Sequence, residues 1–233
     1  MSGPESSARG ASGPHYRAGR AVALAPFTWA WDHSRAMNQR PAIFLDRDGV
    51  IIEDAHHVGS PARVQLLPGA AESIAALNRA GWPVVIVTNQ SGVARGLFTV
   101  EAVEEVHTHL RELLCGYRAR IEAFYYCPHH PEGEVEAFRS ECECRKPQPG
   151  LLLRAADELG LDLAASWMIG DRLSDLEAGA AVGARTVLVR TGHGHLVDAT
   201  MLDRERLNLE LVAADLADAV AKAGLIQRQL KVA

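Results

Sequence analysis

The sequence predicts an α/β fold built on a central parallel sheet. Three observations carry this. From residue 41 onward, short apolar runs alternate with segments of helical period. Polar residues follow directly after the apolar runs, where open parallel sheets place their ligands. A chain of 233 residues, 48% hydrophobic and 23% charged, has material for one sizeable core.

The elements follow in order. Ala42–Leu45 is a short apolar run ending in Asp46, as in a buried strand. Ala70–Ala80 carries apolar residues at helical spacing and stops at Gly81. Pro83–Val87 is continuous and β-branched, a second buried strand, closed by Thr88. Thr99 caps a helix to about Leu114, with Glu101 and Glu104 suited to its first turns. Cys115 falls on the apolar side of that helix and is expected in the core. Ile121–Tyr126 is the third strand, and residues 127–149 form a loop rich in Cys, His, Pro and charge. Gly150–Leu159 is a helix closed by Gly160, Trp167–Ile169 a strand, Ser174–Val182 a helix, Arg185–Val189 a strand and Asp215–Ala223 a last helix.

The composition excludes several classes. No run of about 18 apolar residues offers a membrane-spanning helix. A net charge of −5 argues against a nucleic-acid partner. The first forty residues hold Arg9, Arg17, Arg20, Arg35 and Arg40 against Glu5 and Asp32, a net of +3 that leaves −8 on the remainder. They are rich in Gly, Ser, Ala and Pro and are expected to form a disordered extension. Pro26, Trp29 and Asp32 count against a secretory signal at Ala21–Ala30, and Met37 is an alternative start just before the first strand. Three of the four cysteines, Cys127, Cys142 and Cys144, fall within 18 residues beside histidines, which reads as a metal site before a disulfide framework.

The chemistry gathers at the strand ends. Asp46-Arg47-Asp48-Gly49 follows the first strand, Thr88 and Asn89 the second, and Asp171 the fourth. Each piece alone has a plain reading, an Asx turn at Asp48-Gly49 and a helix cap at Asp171. Together the carboxylates, with Asp175, form an acidic pocket that needs a hard cation such as Mg²⁺. Lys146 stands out because the chain uses 21 arginines and only three lysines. A compact ammonium suits one phosphate oxygen.

Asp46-x-Asp48-Gly49, Thr88, Lys146 and Gly170-Asp171-x-x-x-Asp175 resemble the four motifs of the haloacid dehalogenase superfamily. Ile43–Gly49, Thr88–Gly96, Tyr126–Pro131 and Cys142–Pro147 resemble its heptose 1,7-bisphosphate 7-phosphatases over about residues 41–225. The resemblance implies a three-layer Rossmann-like fold with a zinc loop at 127–149 and a short tail at 226–233. The short spacings between motifs leave no room for a separate cap domain. It implies Asp46 as nucleophile, Asp48 as acid–base, and Mg²⁺ on Asp46, the Asp48 backbone carbonyl and Asp171. Thr88 and Lys146 would bind the phosphoryl oxygens, and Asp175 would support the site by hydrogen bonds rather than as a metal ligand.

Cys127, Cys142, Cys144 and a histidine make a Cys₃His set suited to Zn²⁺. His130 is the alternative to His129, and the resemblance favours His129. Substrate contacts are expected from Asp54, His56, His57, Asn89, Gln90, Ser91, Arg145, Lys146 and Arg172, where the family usually has Lys for Arg172. Arg95 is a further candidate. His193 and His195 read as ordinary surface histidines. The implied substrate is a small sugar bisphosphate, handled by a cytoplasmic monomer with no membrane or nucleic-acid partner, in heptose precursor synthesis for lipopolysaccharide or surface glycan. Two other readings remain. Histidinol-phosphate phosphatases share the scaffold, but the twelve-residue spacer between His129 and Cys142 favours the sugar bisphosphate. A non-catalytic zinc-loop module has no use for the five motif residues.

Overall fold

The computed structural model describes residues 39–226. The expected extension up to residue 38, Met37 included, and residues 227–233 of the expected tail lie outside the described residues.

Six strands form the sheet: β1 (Ile43–Leu45), β2 (Val84–Asn89), β3 (Ala123–Cys127), β4 (Trp167–Gly170), β5 (Arg185–Val189) and β6 (Leu209–Ala213). Their order is β3-β2-β1-β4-β5-β6, with every pairing parallel. The chain builds outward from β1 to β3, then returns to the far side of β1 and builds outward again through β4 to β6. The reversal falls between β1 and β4, the topological switch point at which α/β sheets open a crevice.

Side chains alternate across the sheet and sort into two cores. Ile43, Leu45, Val84, Ile86 and Ile169 pack on one face with α1 (Ala70–Arg79), α2 (Val100–Gly116) and α5 (Leu216–Lys222). Phe44, Val85, Val87 and Met168 pack on the other with α3 (Gly150–Leu159) and α4 (Leu173–Ala181). This is the expected three-layer sandwich. Capping sets the helix starts: the Thr99 side chain accepts from Ala102 N at 3.3 Å and Asp215 from Asp218 N at 2.8 Å. Gly160 closes α3 in the left-handed region.

Three expectations change. Thr88 and Asn89 are the last residues of β2 rather than its sequel, because both pair with β3, at Tyr126 and Cys127. β6 was not expected. It is a short edge strand with little β-branching, entered through Asn208 in the left-handed region. Cys115 is exposed, not in the core. The buried stripe of α2 runs Val103, Val106, His107, Leu110, Leu114, and Cys115 lies one residue, about 100°, off it.

Candidate active site and metal loop

Register puts the motif residues on one line. Leu45 pairs with Ile86 on one side and Ile169 on the other. Asp46 therefore leaves β1 level with the ends of its neighbours, and its N–H donates to Ile169 O at 3.0 Å. Thr88 and Asp171 come one step further on each side. Carboxylate oxygens of Asp46, Asp171 and Asp175 lie within 4.8 Å of one another, all buried.

Lys146 is buried among them. Its ammonium donates to Asp46 Oδ1 at 2.8 Å and Val87 O at 2.7 Å, and lies 2.6 Å from Asp175 Oδ1. Burial works against this charge, but Asp175 and Asp46 outweigh it and lift the ammonium to about 12. Asn89 clamps the Lys146 backbone from both directions, its Nδ2 donating to Lys146 O at 3.0 Å and its Oδ1 accepting from Lys146 N at 3.1 Å. Asn89 thus acts on Lys146 in this arrangement. Asp175 Oδ2 accepts from Arg172 N at 3.0 Å, which ties the start of α4 to the site.

The acidic set fits a hard cation. Burial, then Asp46 and Asp175, push the Asp171 carboxyl up. Asp171 Oδ2 accepts from His193 N at 2.7 Å, while its buried Oδ1 has no hydrogen-bond partner among the described residues. Three carboxylates face one ammonium, and an orphaned carboxylate oxygen among them is what a divalent ion would satisfy. The Asp48 carboxylate is not part of this cluster.

Backbone crowding shapes the same spot. Gly49 has φ +82°, and a Cβ on it would run into the Asp171 carboxylate and come within 2.9 Å of Gly192 Cα. Gly49→Ala is therefore expected to cost about 2–4 kcal/mol, from strain and displacement of Asp171 together. Urea denaturation checks it; stability within about 0.5 kcal/mol of the parent contradicts the close packing.

The metal loop begins where β3 ends. Cys127 Sγ lies 3.5 Å from Cys142 Sγ and 3.8 Å from His129 Nδ1. Cys144 Sγ lies 3.3 Å from Cys142 Sγ and 3.4 Å from His129 Nδ1. Those separations suit four ligands around one tetrahedral ion with metal–sulfur bonds of about 2.3 Å. Hydrogen bonding to Cys127 and burial push the Cys144 thiol well above its ordinary range, and a bound cation would offset both. His130 lies outside the set; its Nδ1 accepts from Glu132 N at 3.1 Å and its Nε2 meets Arg95 at 3.1 Å. The loop is also less bare than its composition suggests, since Cys127, Cys142 and Cys144 pack against the second core. Arg145 Nη1 donates to His129 O at 3.3 Å.

The remaining expected contacts surround the opening. Gln90 Nε2 donates to Asp48 Oδ2 at 2.9 Å and Thr88 Oγ1 at 3.0 Å. Ser91 is half-buried beside it. Asp54 Oδ2 pairs with Arg172 at 3.1 Å and with His193 Nδ1 at 2.8 Å. His193 is thus a correction: it sits on the site, its N–H on Asp171 and its ring on Asp54, because the Gly-rich turn after β5 folds back over β4. His195 is exposed and meets Gly192 O in its own turn. His56 and His57, both in the left-handed region, line a cavity of about 380 Å³ with Arg63, Leu97 and Phe98. Arg63 donates to the carbonyls of Ala55, His56 and His57, a strut that the motif pattern gave no sign of. Arg47 and His107 were also missed and are treated below.

A model of the haloacid dehalogenase-like hydrolase family matches residues 5–180, and a HAD-hydrolase-like model matches residues 143–219. The D-glycero-beta-D-manno-heptose-1,7-bisphosphate 7-phosphatase of Escherichia coli (strain K12) is 46% identical over 153 residues, 65% of this chain and 80% of that protein. Its counterpart in Rhodopseudomonas palustris is 48% identical over 145 residues, 62% of this chain and 81% of that protein. The crystal structure of the D,D-heptose 1,7-bisphosphate phosphatase of B. bronchiseptica, complexed with magnesium and phosphate, superposes with a TM-score of 0.70 at 37% identity. That match covers 78% of this chain and 97% of the other. Strand order, the carboxylate–lysine site and these similarities converge on one conclusion: the chain belongs to the haloacid dehalogenase-like hydrolases.

Proposed function

We propose that this chain removes the 7-phosphate of D-glycero-β-D-manno-heptose 1,7-bisphosphate through a phosphoryl group carried on Asp46. The observation that carries the reading is the convergence of Asp46, Lys146 and Asp171 at the switch point of the sheet, with Thr88 and Asp48 joined to it through Gln90. The sugar comes from the relatives, which match 145–153 residues of this chain at 46–48% identity.

An Asp46 oxygen attacks phosphorus in line, and the bond from phosphorus to the sugar oxygen breaks. Asp48 gives its proton to the departing oxygen. It then takes one from the water that attacks phosphorus and releases Asp46 as carboxylate. Thr88 and Lys146 hold the phosphoryl oxygens. Asp46, the Asp48 backbone carbonyl and Asp171 would hold Mg²⁺, which when bound neutralises the phosphate facing two carboxylates. Cys127, His129, Cys142 and Cys144 would hold Zn²⁺, which when bound cross-links the loop that carries Arg145 and Lys146. Arg145, Arg172 and the Asp54–His57 loop contact the sugar and its second phosphate.

Phosphate release with Mg²⁺ tests the reading. Heptose 1,7-bisphosphate is expected to turn over with kcat/KM at least about 10²-fold above histidinol phosphate, a difference of about 2.7 kcal/mol in transition-state binding. Preference for histidinol phosphate would favour the histidinol phosphatase reading, and release from neither would favour the non-catalytic module.

A further inference from the structure

Arg47, between the two motif carboxylates, is completely buried. A guanidinium is costly to bury unless each face of it is engaged. Here Nε donates to Asp48 Oδ2 at 3.0 Å and Nη2 to Asp48 Oδ1 at 3.1 Å, a two-pronged grip. Nη2 also reaches Val58 O at 3.3 Å, and Nη1 meets His107 Nε2 at 3.3 Å. His107 lies on the buried stripe of α2, stacked on Phe124 at 4.5 Å and edge-on to Tyr126 at 5.5 Å. Burial, then Arg47 and Arg111, hold the imidazole well below its ordinary pKa, so it is neutral. A neutral ring that accepts at Nε2 carries its proton on Nδ1.

A carboxylate has about four lone-pair directions. Arg47 Nε at 3.0 Å and Nη2 at 2.8 Å both sit on Asp48 Oδ2, where Gln90 Nε2 also donates, while Oδ1 receives only the longer 3.1 Å reach of the same Nη2 among the described residues. The open direction is on Oδ1. We propose that Arg47, backed by His107, is the positioning residue that turns Asp48 Oδ1 toward the sugar oxygen and the attacking water. The inference rests on the reading of Asp48 as acid–base. It adds a line from the α2 helix through a buried arginine to the proton-transfer atom, and it explains an arginine and a histidine for which the core itself has no use.

The test separates the two halves of turnover with two substrates, heptose 1,7-bisphosphate and p-nitrophenyl phosphate, whose leaving group needs no proton. For Arg47→Gln with saturating Mg²⁺, first-turnover release from the sugar bisphosphate is expected to fall about 10²-fold, the span of a general acid. KM should stay within about threefold, and first-turnover release of nitrophenolate within about threefold of the parent. Arg47→Lys should regain part of the loss, and His107→Gln should show the same pattern at about a tenth of its size. If Arg47→Gln does not fold, judged by circular dichroism, His107→Gln and Arg47→Lys carry the test. Equal losses on both substrates would mean a merely structural role, and unchanged rates would mean none; either overturns the proposal. If the parent hydrolyses p-nitrophenyl phosphate but not the heptose bisphosphate, the substrate assignment fails. Nitrophenolate steady-state turnover, limited by Asp48-assisted hydrolysis of the phosphorylated protein, then still reports on Arg47: a fall of about 10² supports it and no fall overturns it. Inactivity on both substrates overturns both.

Discussion

Replacing Asp46 with asparagine is expected to lower phosphate release by about 10⁴-fold or more, the scale on which loss of a nucleophile acts. The substitution is nearly isosteric, and Lys146 keeps Asp175 and Val87 O as partners. The fold should survive. In metal-free protein its stability should change little, because relief of the repulsion that raises the Asp171 carboxyl is offset by loss of the Asp46 charge beside the buried Lys146 ammonium. Steady-state phosphate release and a thermal melt on the same sample read both effects. Activity at a tenth of the parent's would contradict Asp46 as nucleophile. A melting temperature many degrees lower would contradict the electrostatic account of the pocket.

Stripping zinc is expected to lower activity by at least about tenfold even with Mg²⁺ in excess, and to lower the melting temperature. Four ligand atoms from both ends of a loop converge at 3.3–3.8 Å separations. An ion there closes the loop and removes its freedom. Lys146 is clamped separately by Asn89, so the loss should fall more on KM than on kcat, through Arg145 and its bond to His129 O. Metal content, KM and kcat measured before and after chelation check this. Full activity in zinc-free protein would contradict the coupling.

The fold was legible where local rules agree with tertiary context. Gly150–Leu159 and Arg185–Val189 carry the boundaries that period and glycine stops predict. β6 was not legible, because an edge strand with one buried face needs no strong apolar pattern. In the site, residues that cluster by charge and type were readable: Asp46, Lys146, Asp171 and the Cys₃His set. Residues that act on other residues were not. Arg47 stands at the unspecified middle position of the Asp-x-Asp pattern, and only burial shows that it points inward. His107 left one trace, a polar residue in an apolar helical stripe between Val106 and Leu110. His193 was misread because its contact with Asp171 depends on how one Gly-rich turn crosses Gly49, a long-range event with no local pattern.

The central claim is that the carboxylate at the end of β1 carries the phosphoryl group. Acid quench of the protein during turnover, followed by mass measurement of the peptide containing Asp46, tests it most directly. The account predicts one phosphoryl group on Asp46, appearing before free phosphate and absent from Asp46→Asn. Phosphate release with no phosphoryl group on Asp46 at any time, or with the group on another side chain, would contradict it.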